Sequence, residues 1–163
     1  MDFAHNEEEE VKSKDNYSLL KINAEKVLKN DNCILRVGNI YGNGMKKNIF
    51  IDIFNQIQSP KIILNSYSEV RDYIYIDDVV RLIYRFLECD CRGVFNVGTG
   101  VGTNVKQLVN KILRTFNLKK IPDVKFLNKG KKSSLILDIS KTASLLSWQP
   151  KYQLERGLKK FVI

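Results

Sequence analysis

Histidine is almost missing from this sequence: His5 is the only one among 163 residues. Cysteine is scarce as well, limited to Cys33, Cys89 and Cys91. A structural zinc site needs clustered Cys and His ligands at short spacings, and this pattern supplies none. An odd cysteine count with a C-x-C pair is no disulfide framework either. The expectation is three reduced, mostly buried thiols in a reducing compartment. Proline occurs only three times, and no low-complexity stretch marks a linker. No apolar run approaches the ~18–20 residues needed to cross a bilayer, so no membrane partner is expected. The first ten residues, MDFAHNEEEE, are acidic and read as neither signal nor transit peptide. The cytoplasm is the expected location.

What is present is ordinary for a globular chain, with 44% hydrophobic and 28% charged residues. The length suits one domain, or one domain plus a fragment. The net charge is +9, which raises the question of nucleic-acid binding. Lysine supplies 20 of the 27 basic residues and arginine seven. The lysines are scattered, with one tighter cluster at Lys129, Lys131 and Lys132. That pattern favours general composition bias over a nucleic-acid patch. A basic chain also suits acidic small molecules such as nucleotide diphosphates.

Strand and helix patterns alternate along the chain, which predicts an α/β fold. Residues 1–14 carry Glu7 to Glu10 and read as a solvated, frayed terminus. From Asn16 to Leu28, Leu20, Ala24, Val27 and Leu28 form one helical apolar stripe. Cys33 to Val37 reads as a strand that Gly38, Gly42 and Gly44 break into a loop. A helix is expected from Asn48 to Gln58, then strands at 62–64 and 71–76. Asp77 and Asp78 read as the acidic opening of a helix to Leu87, rather than half a metal site. Strands follow at 94–97, 124–127 and 135–137. Helices follow at about 104–116, 140–146 and 154–162.

Tyr17 and Lys21 lie four apart on the first helix and so share a face. An ammonium beside a phenol favours the phenolate, which can take a proton from a sugar hydroxyl. With seven Tyr and 20 Lys, however, such a pair also arises by chance. Gly98-Thr99-Gly100-Val101-Gly102 imitates a dinucleotide fingerprint, but its third glycine comes one residue early. It reads as a turn between a strand and a helix. Arg71 opens an apolar strand beside Asp72, and its spacing fits a phosphate clamp and an ion pair equally well.

Taken in order, these segments resemble the C-terminal half of the extended short-chain dehydrogenase/reductase family. Within it the likeness is to the NAD-dependent epimerase/dehydratase branch that acts on nucleotide sugars. The segments are YSLLKINAEKVL, LRVGNIYGNG, RDYIYIDDVV, GVFNVGTG and DISKTASLLSWQP followed by LERGL. Together they span about nine tenths of the chain. The resemblance implies a Rossmann-like portion, residues 1–45, carrying the Tyr helix and the strand after it. Residues 46–163 would form mainly the small α/β nucleotide-sugar-binding domain, with some segments returning to the Rossmann-like sheet.

On the same resemblance, Tyr17 is the catalytic acid/base. Lys21 holds the nicotinamide ribose of NAD and favours the phenolate, so both residues are also cofactor-binding. Asn39 contacts the nucleotide-sugar near its diphosphate, and Arg71 binds that diphosphate. Lys129 stands where a second phosphate-binding Arg is expected, and it lacks the bidentate fork. Leu20 stands where the family has a small residue.

The family's first half carries the glycine-rich loop, the acidic residue for the ribose and a catalytic Ser or Thr. None of these is in the sequence. Roughly 110–130 residues of dinucleotide-binding sheet are expected to be absent. Without them the strand of Leu35 and Val37 is an open edge and the Tyr helix lacks packing partners. The implied function is the C-terminal portion of a nucleotide-sugar 4-epimerase or dehydratase, with the UDP-hexose 4-epimerase narrowly preferred. The alternative is an inactive remnant, or one half of a split enzyme completed by a separate N-terminal chain. The implied partners are a nucleotide-diphosphate sugar and a second copy in a homodimer.

Overall fold

The computed structural model describes residues 3–28, 31–118, 120–127 and 133–161. Helix α1 (Asn16–Leu28) leads into strand β1 (Cys33–Val37) and, after Gly38, strand β2 (Asn39–Tyr41). Then come α2 (Ile49–Phe54), β3 (Lys61–Leu64), β4 (Val70–Tyr75), α3 (Ile76–Leu87) and β5 (Gly93–Val97). The chain continues with β6 (Gly102–Asn104), α4 (Val105–Thr115), β7 (Asp123–Phe126), β8 (Ser134–Leu135), α5 (Ser140–Leu146) and α6 (Leu154–Leu158). The α/β class is as expected. No described helix is long and apolar enough to cross a membrane.

Strand β1 pairs in parallel with β5, from Cys33–Gly93 to Val37–Val97. Strand β4 is the hub of the rest. It pairs in parallel with β2 and β8 and antiparallel with β6. Strand β3 pairs in parallel with β7.

Strand β4 is buried on both faces. Tyr73 and Tyr75 enter one core with Tyr41, Phe50, Ile62, Leu108 and Ile112. Ile74 enters a second with Leu82, Phe86, Phe95 and Trp148. A strand covered on both sides reads as a nearly continuous apolar run. Each large side chain buried here stabilises the fold by about 1.5–3 kcal/mol.

Several expectations are corrected. The segment Asn39–Tyr41 is a strand, not a loop, because β4 offers it a parallel edge from Tyr73 to Tyr75. Helices α2 and α6 are shorter than their apolar spacing suggests. The N-terminal segment is docked rather than frayed. The His5 amide donates to the Ile136 carbonyl at 2.8 Å, and Glu7, 7% exposed, accepts from the Asn96 amide at 2.8 Å. The reason lies in β5. Its odd residues face β1, which leaves the amide of Asn96 and the carbonyls of Val94 and Asn96 on the opposite edge. Buried backbone groups need partners. Glu7 serves the amide, Lys141 Nζ donates to the Val94 carbonyl and Thr142 Oγ1 to that of Asn96, each at 2.7 Å.

The apolar stripe predicted for α1 points outward: Leu20 and Val27 are exposed, and no described residue of α1 is buried. The half-buried positions are Ser18, Ile22 and Glu25. Glu25 is tied to Arg36 of β1 by two hydrogen bonds of 3.1 and 2.5 Å, and this fork holds the helix to the sheet. The cysteines also depart from expectation. Cys33 is an exposed free thiol, raised above its ordinary pKa by partial burial. Cys89 and Cys91 are joined in a disulfide, their Cα atoms 5.1 Å apart. The turn that ends α3 brings their sulfurs together.

Candidate functional site

Helix α1 is started by Asp15. Its carboxylate accepts from the Ser18 amide at 2.9 Å and from the Ser13 hydroxyl at 2.5 Å. These bonds, the Ser13 hydroxyl foremost, pull the Asp15 carboxyl down to about 2. The first full turn then presents Tyr17, 71% exposed, with Lys21 Nζ 5.7 Å from the centre of its ring. The ammonium and the phenol therefore share one open face of the helix. Their geometry suits a polyhydroxylated group lying across both, such as a ribose or a hexose.

Asn39 is exposed at the start of β2, with Tyr73 of β4 as its Cα partner. Arg71 lies two residues before Tyr73, so Asn39, Tyr73 and Arg71 share one face of the sheet. That face carries both the amide and the guanidinium. No hydrogen bond or ion pair joins α1 to either of them among the described residues. Lys129 lies outside the described residues.

The Arg71 guanidinium is already engaged. It donates to Glu69 Oε2 at 3.1 Å, to Ser133 Oγ at 3.0 Å and to the Ser133 carbonyl at 3.3 Å. It also bonds its neighbour's carbonyl, that of Val70, at 2.8 Å. Of the two readings that its spacing left open, the ion pair is the one seen, with Glu69 as the partner.

Residue-level sequence reading missed the role of Asp72. This carboxylate is fully buried. It accepts from the Thr99 amide at 2.8 Å, the Thr99 hydroxyl at 2.5 Å and the Gly100 amide at 3.0 Å. A side chain on Gly98 would overlap Asp72 Oδ2. The glycine turn is therefore a nest for an internal carboxylate, and the amides that would cradle a phosphate are engaged with Asp72. The signal was available: a carboxylate pointing inward from an apolar strand must find donors, and a glycine turn offers them. Asp78 behaves likewise. Fully buried in the first turn of α3, it pairs with Arg81 and accepts from the amides of Lys151 and Tyr152 at 3.1 and 2.9 Å. It pins the C-terminal segment to the core.

For a dinucleotide cofactor, the described residues offer donors at one end only. Tyr17 and Lys21 fit a nicotinamide ribose. Among the described residues no glycine loop has amides available for a pyrophosphate.

The family model for the NAD dependent epimerase/dehydratase family matches residues 3–98. The chain belongs to this family. A curated relative, the dTDP-4-dehydro-6-deoxyglucose reductase of Escherichia coli, is 31% identical over 160 residues, covering 90% of this chain and 51% of that protein. Among solved structures, the dTDP-glucose 4,6-dehydratase of Bacillus anthracis in complex with NAD matches with a TM-score of 0.82 at 22% identity. That match covers 98% of this chain and 54% of the dehydratase, and it shows the fold: α/β with a parallel Rossmann-like sheet. The UDP-glucose 4-epimerase of Thermotoga maritima with UDP-glucose has a TM-score of 0.66 and 34% identity, covering 88% of this chain and 48% of the epimerase. The chain thus spans about half the length of these epimerase/dehydratase-family relatives.

Proposed function

We propose that the chain is the substrate-side portion of an NAD-dependent enzyme that acts at carbon 4 of a nucleotide-diphosphate sugar. The observation that carries this reading is the shared sheet face of Asn39 and Arg71. A polar amide opposite Tyr73 and a guanidinium two residues before it lie on that face, suited to a diphosphate. The family relatives support it. The reductase, the dehydratase and the epimerase all carry carbon-4 chemistry in their names. A UDP-hexose 4-epimerase is the favoured activity, with a 4,6-dehydratase or 4-keto-sugar reductase next. In the proposed division, residues 1–45 are Rossmann-like and residues 46–163 mainly bind the sugar nucleotide.

In this reading Arg71 exchanges Glu69 for the diphosphate, and Asn39 fixes the orientation of the nucleotide sugar. The Tyr17 phenol is the group that takes the proton from the C4 hydroxyl and later returns it. Lys21 holds the nicotinamide ribose and keeps positive charge beside the phenol. NAD, when bound, supplies the redox chemistry. Its adenosine end would be held by the dinucleotide-binding unit of the family, supplied by a separate chain or an adjoining one. The exposed apolar side of α1 and the open edge of β1 suit contact with that unit, and a homodimer through the same helix remains part of the proposal.

A second reading, a remnant that binds nucleotide sugar without catalysis, is favoured by the exposure of Tyr17. Thermal unfolding tests both. A nucleotide sugar at about 100 times its Kd should add about 2.7 kcal/mol of stability, while NAD alone should leave the melting temperature unchanged. A clear rise with NAD alone would overturn the proposal that the adenosine end is held elsewhere.

A further inference from the structure

All three cysteines lie at one end of the β1–β5 pair and on one face of it. The even-numbered side chains of β1 face α1, since Arg36 binds Glu25 there. The odd-numbered ones face the other way. Leu35 and its Cα partner Phe95 pack into the core with Leu82 and Phe86 of α3. Strand alternation puts Cys33, two residues before Leu35, on that same side. Cys91 packs against the same core. Cys89 lies in the turn that ends α3 and is joined to Cys91.

The strand register brings a free thiol to this disulfide. Cys33 is the Cα partner of Gly93, and the Gly93 amide donates to the Asn32 carbonyl at 2.9 Å. Cys91 stands two residues before Gly93 and Cys89 four, so Cys91 is the bonded sulfur beside β1. The Cys33 thiol is free and exposed. This end of the pair is opposite the one that leads through Gly38 to Asn39, so the cysteines stand apart from the nucleotide-sugar face.

A thiolate beside a disulfide attacks one sulfur and expels the other. The Cys89–Cys91 bond closes almost no chain, and a disulfide restrains the unfolded chain less the shorter its loop. A bond from Cys33 to Cys91 would span β2 through α3 and restrain far more, and the β1–β5 hydrogen bonds already hold its two ends in register. We propose that Cys33, Cys89 and Cys91 form a thiol–disulfide exchange centre. The Cys33 thiolate attacks Cys91 Sγ, the Cys33–Cys91 bond forms and the Cys89–Cys91 bond breaks. The electron pair of the broken bond leaves on Cys89 Sγ, which takes up a proton in place of the one Cys33 lost. Cys33 is oxidised as Cys89 is reduced, so no outside oxidant is needed. The new bond fastens the open-edge strand β1 to the segment entering β5. Partial burial holds the Cys33 thiol above its ordinary value, which keeps the attacking thiolate scarce and the exchange slow, on the order of minutes to hours.

Thiol mapping of the whole chain, purified without reductant and held for several hours at about pH 8, tests this. N-Ethylmaleimide caps the free thiols, and tryptic peptides are then sequenced by mass spectrometry. Cleavage after Arg36 and Arg85 separates Cys33 from the other two cysteines. The maleimide should be found on Cys33 in some molecules and on Cys89 in the rest, the latter with Cys33 bonded to Cys91. Cys33→Ala should abolish labelling of Cys89. Cys89→Ser treated with oxidised glutathione should form the Cys33–Cys91 bond within one chain. The amides of Ile34 and Leu35 should then exchange several-fold more slowly than in the same variant kept reduced. Label on Cys33 alone, label on all three cysteines, or a Cys33 bond between two chains in place of Cys33–Cys91 would each overturn the proposal. So would labelling of Cys89 that persists in Cys33→Ala. The label pattern of the unsubstituted chain decides the matter whether or not a variant folds.

Discussion

Arg71 is a held cation with an internal competitor. Glu69 occupies one arm of its guanidinium, with the two side chains 24% and 35% exposed. Such a partly solvated pair is worth little, about 0–1 kcal/mol, so a diphosphate with two negative charges can displace it. Replacing Glu69 removes the competitor. We expect Glu69→Gln to tighten nucleotide-diphosphate binding by about threefold, measured by isothermal titration calorimetry. Weaker binding would mean that Glu69 aligns Arg71 rather than competes for it. Asp72, the adjacent residue, has the opposite character. Its buried carboxylate serves three strong donors of the glycine turn. Asp72→Asn would set an amide N–H against donors, and it should cost about 2–4 kcal/mol in urea unfolding. A loss under 1 kcal/mol would contradict the role assigned to that turn. The ion pair of Arg71 was one of two readings that its place in an apolar strand left open. The role of Asp72 was not legible in the sequence, because its partners lie 27 and 28 residues further along and only the fold brings them near.

Helix α1 shows what local sequence can and cannot specify. Its bounds, Asn16 to Leu28, follow directly from Asp15 and the residues behind it. Which side of the helix faces the protein does not, because the fork between Glu25 and Arg36 decides that rather than the apolar stripe. Strand β2 was hidden for a similar reason: three residues after a glycine carry no period, and only the register with β4 makes them a strand. The helix depends on its cap. Asp15→Ala should make the amides of Tyr17, Ser18 and Leu19 exchange several-fold faster while the core amides are unchanged. The pH dependence follows in sign. The folded-state value of about 2 lies below the ordinary 3.8. The cap is therefore fully effective above about pH 4 and is lost as pH falls through about 2. Uniform exchange across α1 at pH 5, with and without Asp15, would refute this.

At the scale of the whole molecule, the two edges of the β1–β5 pair are unlike. The outer edge of β5 is closed by α5 and by the docked residues His5 and Glu7. The outer edge of β1 has no strand partner among the described residues, and the helix beside it keeps an exposed apolar side. Family order was legible from five short segments, among them the buried strand Val70–Tyr75 and the strand Gly93–Val97 with the glycine turn after it. The substrate was not, because relatives similar to the chain carry different sugars in their names. The central claim is that the sheet face of Asn39 and Arg71 binds a nucleotide-diphosphate sugar. The most direct measurement is calorimetric titration of the chain with UDP-glucose and dTDP-glucose, alongside Arg71→Ala. The account predicts saturable binding of at least one of them, weakened by about tenfold or more when the guanidinium is removed. Binding that is absent for both, or unchanged by Arg71→Ala, would contradict it.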